Sequence, residues 1–172
     1  MITRRHTLLL RACVLAGAAL AATGVAAPAA ASLGSVPAQI TAYVGDPAGL
    51  RAGLDEYFGT DADGDGIAFD DTTKAGQLNR VWVFTAGFAA GDDSVPVVEL
   101  TNEWTAPVTV AEQPVGLATI WIDPATESPD LADFGADPAL AERLSAVPDD
   151  AALVRDAERG AWFALAGDVL TP

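Results

Sequence analysis

The chain has one cysteine, one methionine, one histidine and one lysine. Cys13, His6 and Met1 all fall within the first 31 residues. Beyond that segment there is neither imidazole nor thiol. A Ser-His-Asp triad, a Cys-His pair, a Cys/His zinc site, a histidine- or thiolate-ligated haem and any disulfide are therefore excluded from residues 32–172. Basic charge is also scarce. Three of the nine basic residues, Arg4, Arg5 and Arg11, lie in the first segment, and the first acidic residue is Asp46. Residues 32–172 thus carry six basic against 24 acidic side chains, a formal charge of −18. Such a surface repels nucleic-acid backbones and anionic membranes, so nucleic acid is not an expected partner.

Residues 1–31 have the three parts of an export signal: a basic start at Arg4 and Arg5, an apolar run from Leu8 interrupted by Arg11, and small residues through Ala31. Thr3-Arg4-Arg5-His6-Thr7-Leu8-Leu9 resembles the twin-arginine export motif, with Thr7 where Phe or Leu is usual. By that resemblance the protein would fold before it crosses the membrane. An ordinary secretory signal and an uncleaved anchor are the alternatives. With cleavage after Ala29 or Ala31, the expected product is one exported domain, residues 32–172, with no membrane span of its own. It would be secreted or lie on the cell-envelope exterior.

A domain of this length buries roughly two-thirds of its unfolded surface, and without disulfides it relies on that core or on a bound ion. Residues 32–38 read as an extended lead-in. Asp46-Pro47 then opens a helix expected over 47–58, with Leu50, Leu54 and Phe58 on one face and Gly59 ending it in the left-handed region. Val81-Trp82-Val83-Phe84-Thr85 is apolar on both faces and predicts a central strand covered on both sides. Residues 95–104 alternate as a strand with one wet face, Val108 and Val110 continue after Pro107, Glu112-Gln113-Pro114 turns the chain, and Val115 to Ile122 forms the next strand.

Helices are expected near 129–134 behind Ser128-Pro129 and near 138–146 behind Asp137-Pro138, the latter with Leu140, Leu144 and Val147 as its apolar stripe. Residues 151–155 and 161–166 predict a hairpin. The expected fold is α+β: a single domain with an antiparallel sheet of about five to six strands and about three helices. A cone-shaped sheet wrapped on the first helix is one arrangement of these elements.

The strongest chemical signal is Asp61-Ala62-Asp63-Gly64-Asp65-Gly66-Ile67-Ala68-Phe69-Asp70-Asp71. Carboxylates at alternate positions followed by glycine let a chain wrap a hard cation. This run resembles the calcium loops of EF-hands, dockerins and thrombospondin type 3 repeats over about eleven residues. The resemblance implies Asp61, Asp63 and Asp65 as side-chain ligands and Ile67 as a carbonyl ligand, with Asp71 or Asp70 replacing the bidentate Glu of an EF-hand, whose place Thr72 holds. Calcium is thus the one cofactor expected, bound in the ~0.1–1 mM range of extracellular modules. The bland alternative is a solvated acidic turn.

Glu99, Glu103 and Asp123 are the carboxylates to consider for hydrolysis. Four residues along a strand span about 13 Å, beyond the roughly 5–9.5 Å that such pairs need. Glu99 and Glu103 therefore cannot work together, and Glu103 with Asp123 is the remaining pairing. Of the four tryptophans, Trp82, Trp121 and Trp162 lie in apolar runs and read as core, whereas Asn102, Glu103 and Trp104 read as the rim of a polar ligand site. Two functions follow. One is an exported acidic, non-catalytic binding or envelope-associated domain for an unidentified protein or small molecule, stabilised by calcium. The other is a histidine-free hydrolase working through carboxylates.

Overall fold

A computed structural model describes residues 36–148 and 150–172. The expected export signal, with Arg4 and Arg5, lies outside them. The described elements are α1 (Ala38–Gly45), a π-helical turn (Pro47–Arg51), α2 (Ala52–Phe58), β1 (Lys74–Ala75), β2 (Asn79–Phe84), α3 (Ala86–Ala89), β3 (Val98–Val110), β4 (Gln113–Ile122), β5 (Pro129–Gly135), α4 (Pro138–Leu144), β6 (Ala152–Asp156), β7 (Ala161–Ala166) and β8 (Val169–Thr171). None of these helices is long and apolar enough to cross a membrane.

The strands form one sheet in the order β5-β4-β3-β2-β6-β7-β8, and β1 pairs with β3. The fold is therefore α+β on a single sheet, with eight strands rather than five or six. Its pairs are antiparallel except one: β2 and β6 run parallel, Val81 opposite Leu153 and Val83 opposite Arg155. A purely antiparallel sheet is thus corrected to a mixed one. The parallel pair needs a long crossover, which the chain supplies with β3, β4, β5 and α4.

Alternation along β4 divides two cores. Ala118 and Ile120 face a cluster with Trp104, Val108, Phe69 and Phe134, onto which α1, the π-helical turn and α2 bring Ile40, Leu50 and Leu54. Leu117 points the other way, into a smaller cluster with Leu153 and with Ala141 and Leu144 of α4. The sheet is doubly covered where these layers overlap, and residues 104–108 of β3 are buried without a break. The covered strand is thus β3, not β2, in which only Val81 is fully buried.

Several local expectations change for physical reasons. Asp46 caps the helical start as expected, its carboxylate accepting from Ala48 N–H at 2.9 Å. The helix it opens is broken, because Gly49, inside the π-helical turn, takes non-helical angles. Residues near the lead-in are helical from Ala38, with Ile40 fully buried. Gly59 does end α2, but in an extended conformation. Its need is for space, since a Cβ there would meet the Asp55 carbonyl oxygen at 2.2 Å.

Residues 129–134 are strand β5, not a helix. Ser128-Pro129 mimics a helix start, yet Pro129 also suits the first position of an edge strand, where the missing N–H leaves no gap in the ladder. β3 runs straight through Pro107, and the turn into β4 lies at Ala111 and Glu112, both at positive φ (47° and 65°). The Thr72 hydroxyl holds that turn by accepting from Ala111 N–H at 2.9 Å.

Candidate functional site

The acidic loop is built around Asp61. Its Oδ1 accepts from Asp63 N–H at 2.9 Å and from Asp65 N–H at 3.0 Å, and its own N–H donates to the Asp65 carbonyl at 2.8 Å. Gly64 and Gly66 take positive φ (86° and 120°), which gives the sharp turn that the sequence suggests. Ile67 and Phe69 anchor the loop against the core beside Phe134. Asp70 accepts from the Thr72 hydroxyl at 2.6 Å and from Thr72 N–H at 2.9 Å, which holds its carboxyl below the usual range. Asp63, Asp65 and Asp71 are exposed. Among the described residues no three carboxylates, thiols or imidazoles converge closely enough to hold a metal ion.

Asn102, Glu103 and Trp104 do not form a rim together. Trp104 is 2% exposed and packs inside the larger core, with the Arg80 guanidinium 5.3 Å from its ring centre. The exposed indole is Trp121, which stands opposite Glu103 across the β3–β4 pair. Asn102 donates its amide to the Ile122 carbonyl at 2.6 Å. Glu103 accepts from Arg155 Nη2, also at 2.6 Å. Asp123 is engaged in its own turn, accepting from Ala125 N–H and the Thr126 hydroxyl.

Among the described residues, two of the cavities that form lie elsewhere. The smaller, about 580 Å³, sits between α3 and the β6–β7 turn, with Phe84, Phe88, Glu99, Arg155 and Arg159 on its walls. The larger, about 630 Å³, is a groove between α4 and the β6–β7–β8 edge of the sheet. Its size is within the range of small-molecule sites. Neither Glu103 nor Asp123 lines either cavity.

The larger groove has a clear origin in the sequence. α4 is capped by Asp137, whose Oδ1 accepts from Leu140 N–H at 2.9 Å, and is started by Pro138. Its stripe of Leu140, Leu144 and Val147 leans towards Leu117, Leu153 and Trp162. Opposite the helix, β7 offers Trp162, then Ala164 and Ala166, towards the groove, and Thr171 of β8 lies at its edge. Two alanines are too small to fill the space beside the helix, so an apolar channel stays open where larger side chains would have closed it. The stripe was readable as helix periodicity; the deficit of volume opposite it was not, because nothing local says that β7 would face α4.

No family model, curated protein or solved structure matches the chain.

Proposed function

We propose that this chain is an exported, non-catalytic binding domain that takes an apolar group into the groove between α4 and β6–β8. The observation that carries the reading is the groove: about 630 Å³, with Leu140, Leu144, Leu153 and Trp162 on its walls. A hydrophobic pocket with few polar groups is the usual form of a small-molecule site. Export rests on the signal pattern of residues 1–31 and places the domain outside the cell or on its envelope. The hydrolase reading draws less support, since Glu103 is held by Arg155 and Asp123 is spent on its own turn.

Calcium is proposed as a stabiliser only. It rests on the spacing of Asp61, Asp63 and Asp65 and on the turn at Gly64, and it requires the loop to draw its exposed carboxylates together.

The test of the groove is equilibrium binding of a neutral apolar probe, dodecanol, to the protein and to Ala164→Trp, which fills the channel. Saturable binding lost in the filled variant supports the reading. Absence of binding, or equal binding by both proteins, contradicts it.

A further inference from the structure

We infer that the ligand of this groove is a monocarboxylic acid with an apolar chain or ring, its carboxylate gripped by Arg143 at the mouth; the inference rests on the groove being the binding site. Among the described residues, two side chains lining the groove are ionisable, Asp137 and Arg143. The Asp137 carboxylate is occupied as the cap of α4. Arg143 lies in the last turn of that helix, exposed, and its one hydrogen bond among the described residues is from Nε to the Ala139 carbonyl at 3.4 Å.

Among the described residues Arg143, like Arg51 and Lys74, makes no ion pair, whereas Arg155 and Arg159 are both bound to carboxylates, and of these unpaired cations Arg143 is the one on the groove. Arg80 is also occupied, over Trp104 and against the Thr101 carbonyl. In a chain so rich in acids, a guanidinium with no carboxylate partner among the described residues stands where an apolar channel opens. Its two Nη groups form the planar fork that suits a carboxylate.

Ligand heads differ in what they gain there. An ammonium is repelled by Arg143, and a hydroxyl gains one neutral hydrogen bond. A carboxylate gains charge-assisted bonds. The overall negative charge opposes any anion, but charges more than about 8 Å away are largely screened at physiological salt, so the contact at the mouth decides.

The experiment compares three probes of equal chain length below their micellar concentrations: dodecanoate, dodecanol and dodecyltrimethylammonium. Dodecanoate should bind about tenfold more tightly than dodecanol, with the ammonium weakest. Arg143→Gln should abolish the difference between dodecanoate and dodecanol, in protein shown by its melting curve to be folded. Equal binding of the two by the unaltered protein, tighter binding of the ammonium, or a preference for dodecanoate that survives in Arg143→Gln would overturn the inference while leaving the groove as an apolar site. If no probe binds, the groove reading fails and the inference with it.

Discussion

Arg155 on β6 reaches across β2 to bring Nη2 within 2.6 Å of Glu103 Oε2 on β3, and the same guanidinium lies 5.8 Å from the ring centre of Trp162. One cation thus ties the central strands to the wall of the groove. Both partners are about one-quarter exposed, so the pair falls between the surface and buried cases.

Replacing Glu103 by Gln should therefore destabilise the fold by about 1–2 kcal/mol, because Arg155 keeps its partly buried position and loses its anion. Urea denaturation measures this. A change below about 0.3 kcal/mol would mean that the pair is only a surface contact.

Gly116 on β4 has no room for a side chain: a Cβ would lie 2.3 Å from the Gly135 carbonyl oxygen and 2.7 Å from Phe134 Cζ. Gly116→Ala should cost about 1–3 kcal/mol, as overpacking does. Gly135→Ala, where a Cβ meets nothing within 4 Å, is expected to be close to neutral. Equal effects of the two changes in thermal melts would refute the close approach of β4 and β5.

Three carboxyls are held below their ordinary range: Asp156 by the Arg159 guanidinium, Asp92 by the Ser94 hydroxyl and Asp70 by the Thr72 hydroxyl. A lowered folded value means that the folded state gives up these protons more readily than the unfolded chain. The stability they add is present above the ordinary carboxyl range, near pH 4, and is lost as pH falls through their lowered values. An acid titration of ellipticity should therefore show unfolding below about pH 4 that is less steep in Asp70→Asn with Asp156→Asn. An unchanged acid limb in the double variant would remove these groups from the explanation.

Calcium in the millimolar range should raise the melting midpoint by several degrees over chelator; at 100 times the dissociation constant a ligand of the folded state adds about 2.7 kcal/mol. Asn at positions 61 and 65 keeps the Asp61 acceptor for the two loop N–H groups but removes two charges, so the calcium increment should vanish. A midpoint indifferent to calcium would leave the loop as an acidic turn held by its own hydrogen bonds.

What the sequence makes legible is local. Asp137-Pro138 marks α4, the β6–β7 hairpin follows from its apolar runs, and Asp46 caps where expected. What it hides is the meeting of distant segments. The parallel pairing of β2 with β6 depends on residues about 70 positions apart, and no periodicity announces it. Trp104 and Trp121 exchange their expected places because polar neighbours say little about which face of β3 the α1–α2 layer will cover. Pro129 could open a helix or an edge strand, and its place beside Ile122 at the sheet edge decided between them. The groove was hidden for the same reason: its helix stripe was plain, but the alanines opposite it acquire meaning only once β7 lies across from α4.

The most direct test of the account is the emission of Trp162 alone, in a variant with Trp82, Trp104 and Trp121 changed to Phe, titrated with dodecanol. Trp162 lines the groove, so its spectrum should shift saturably to shorter wavelength as the probe displaces water, and Ala164→Trp should abolish that binding when it is measured by calorimetry. A Trp162 spectrum unchanged at probe concentrations that calorimetry shows to be saturating would place the binding elsewhere and contradict the account.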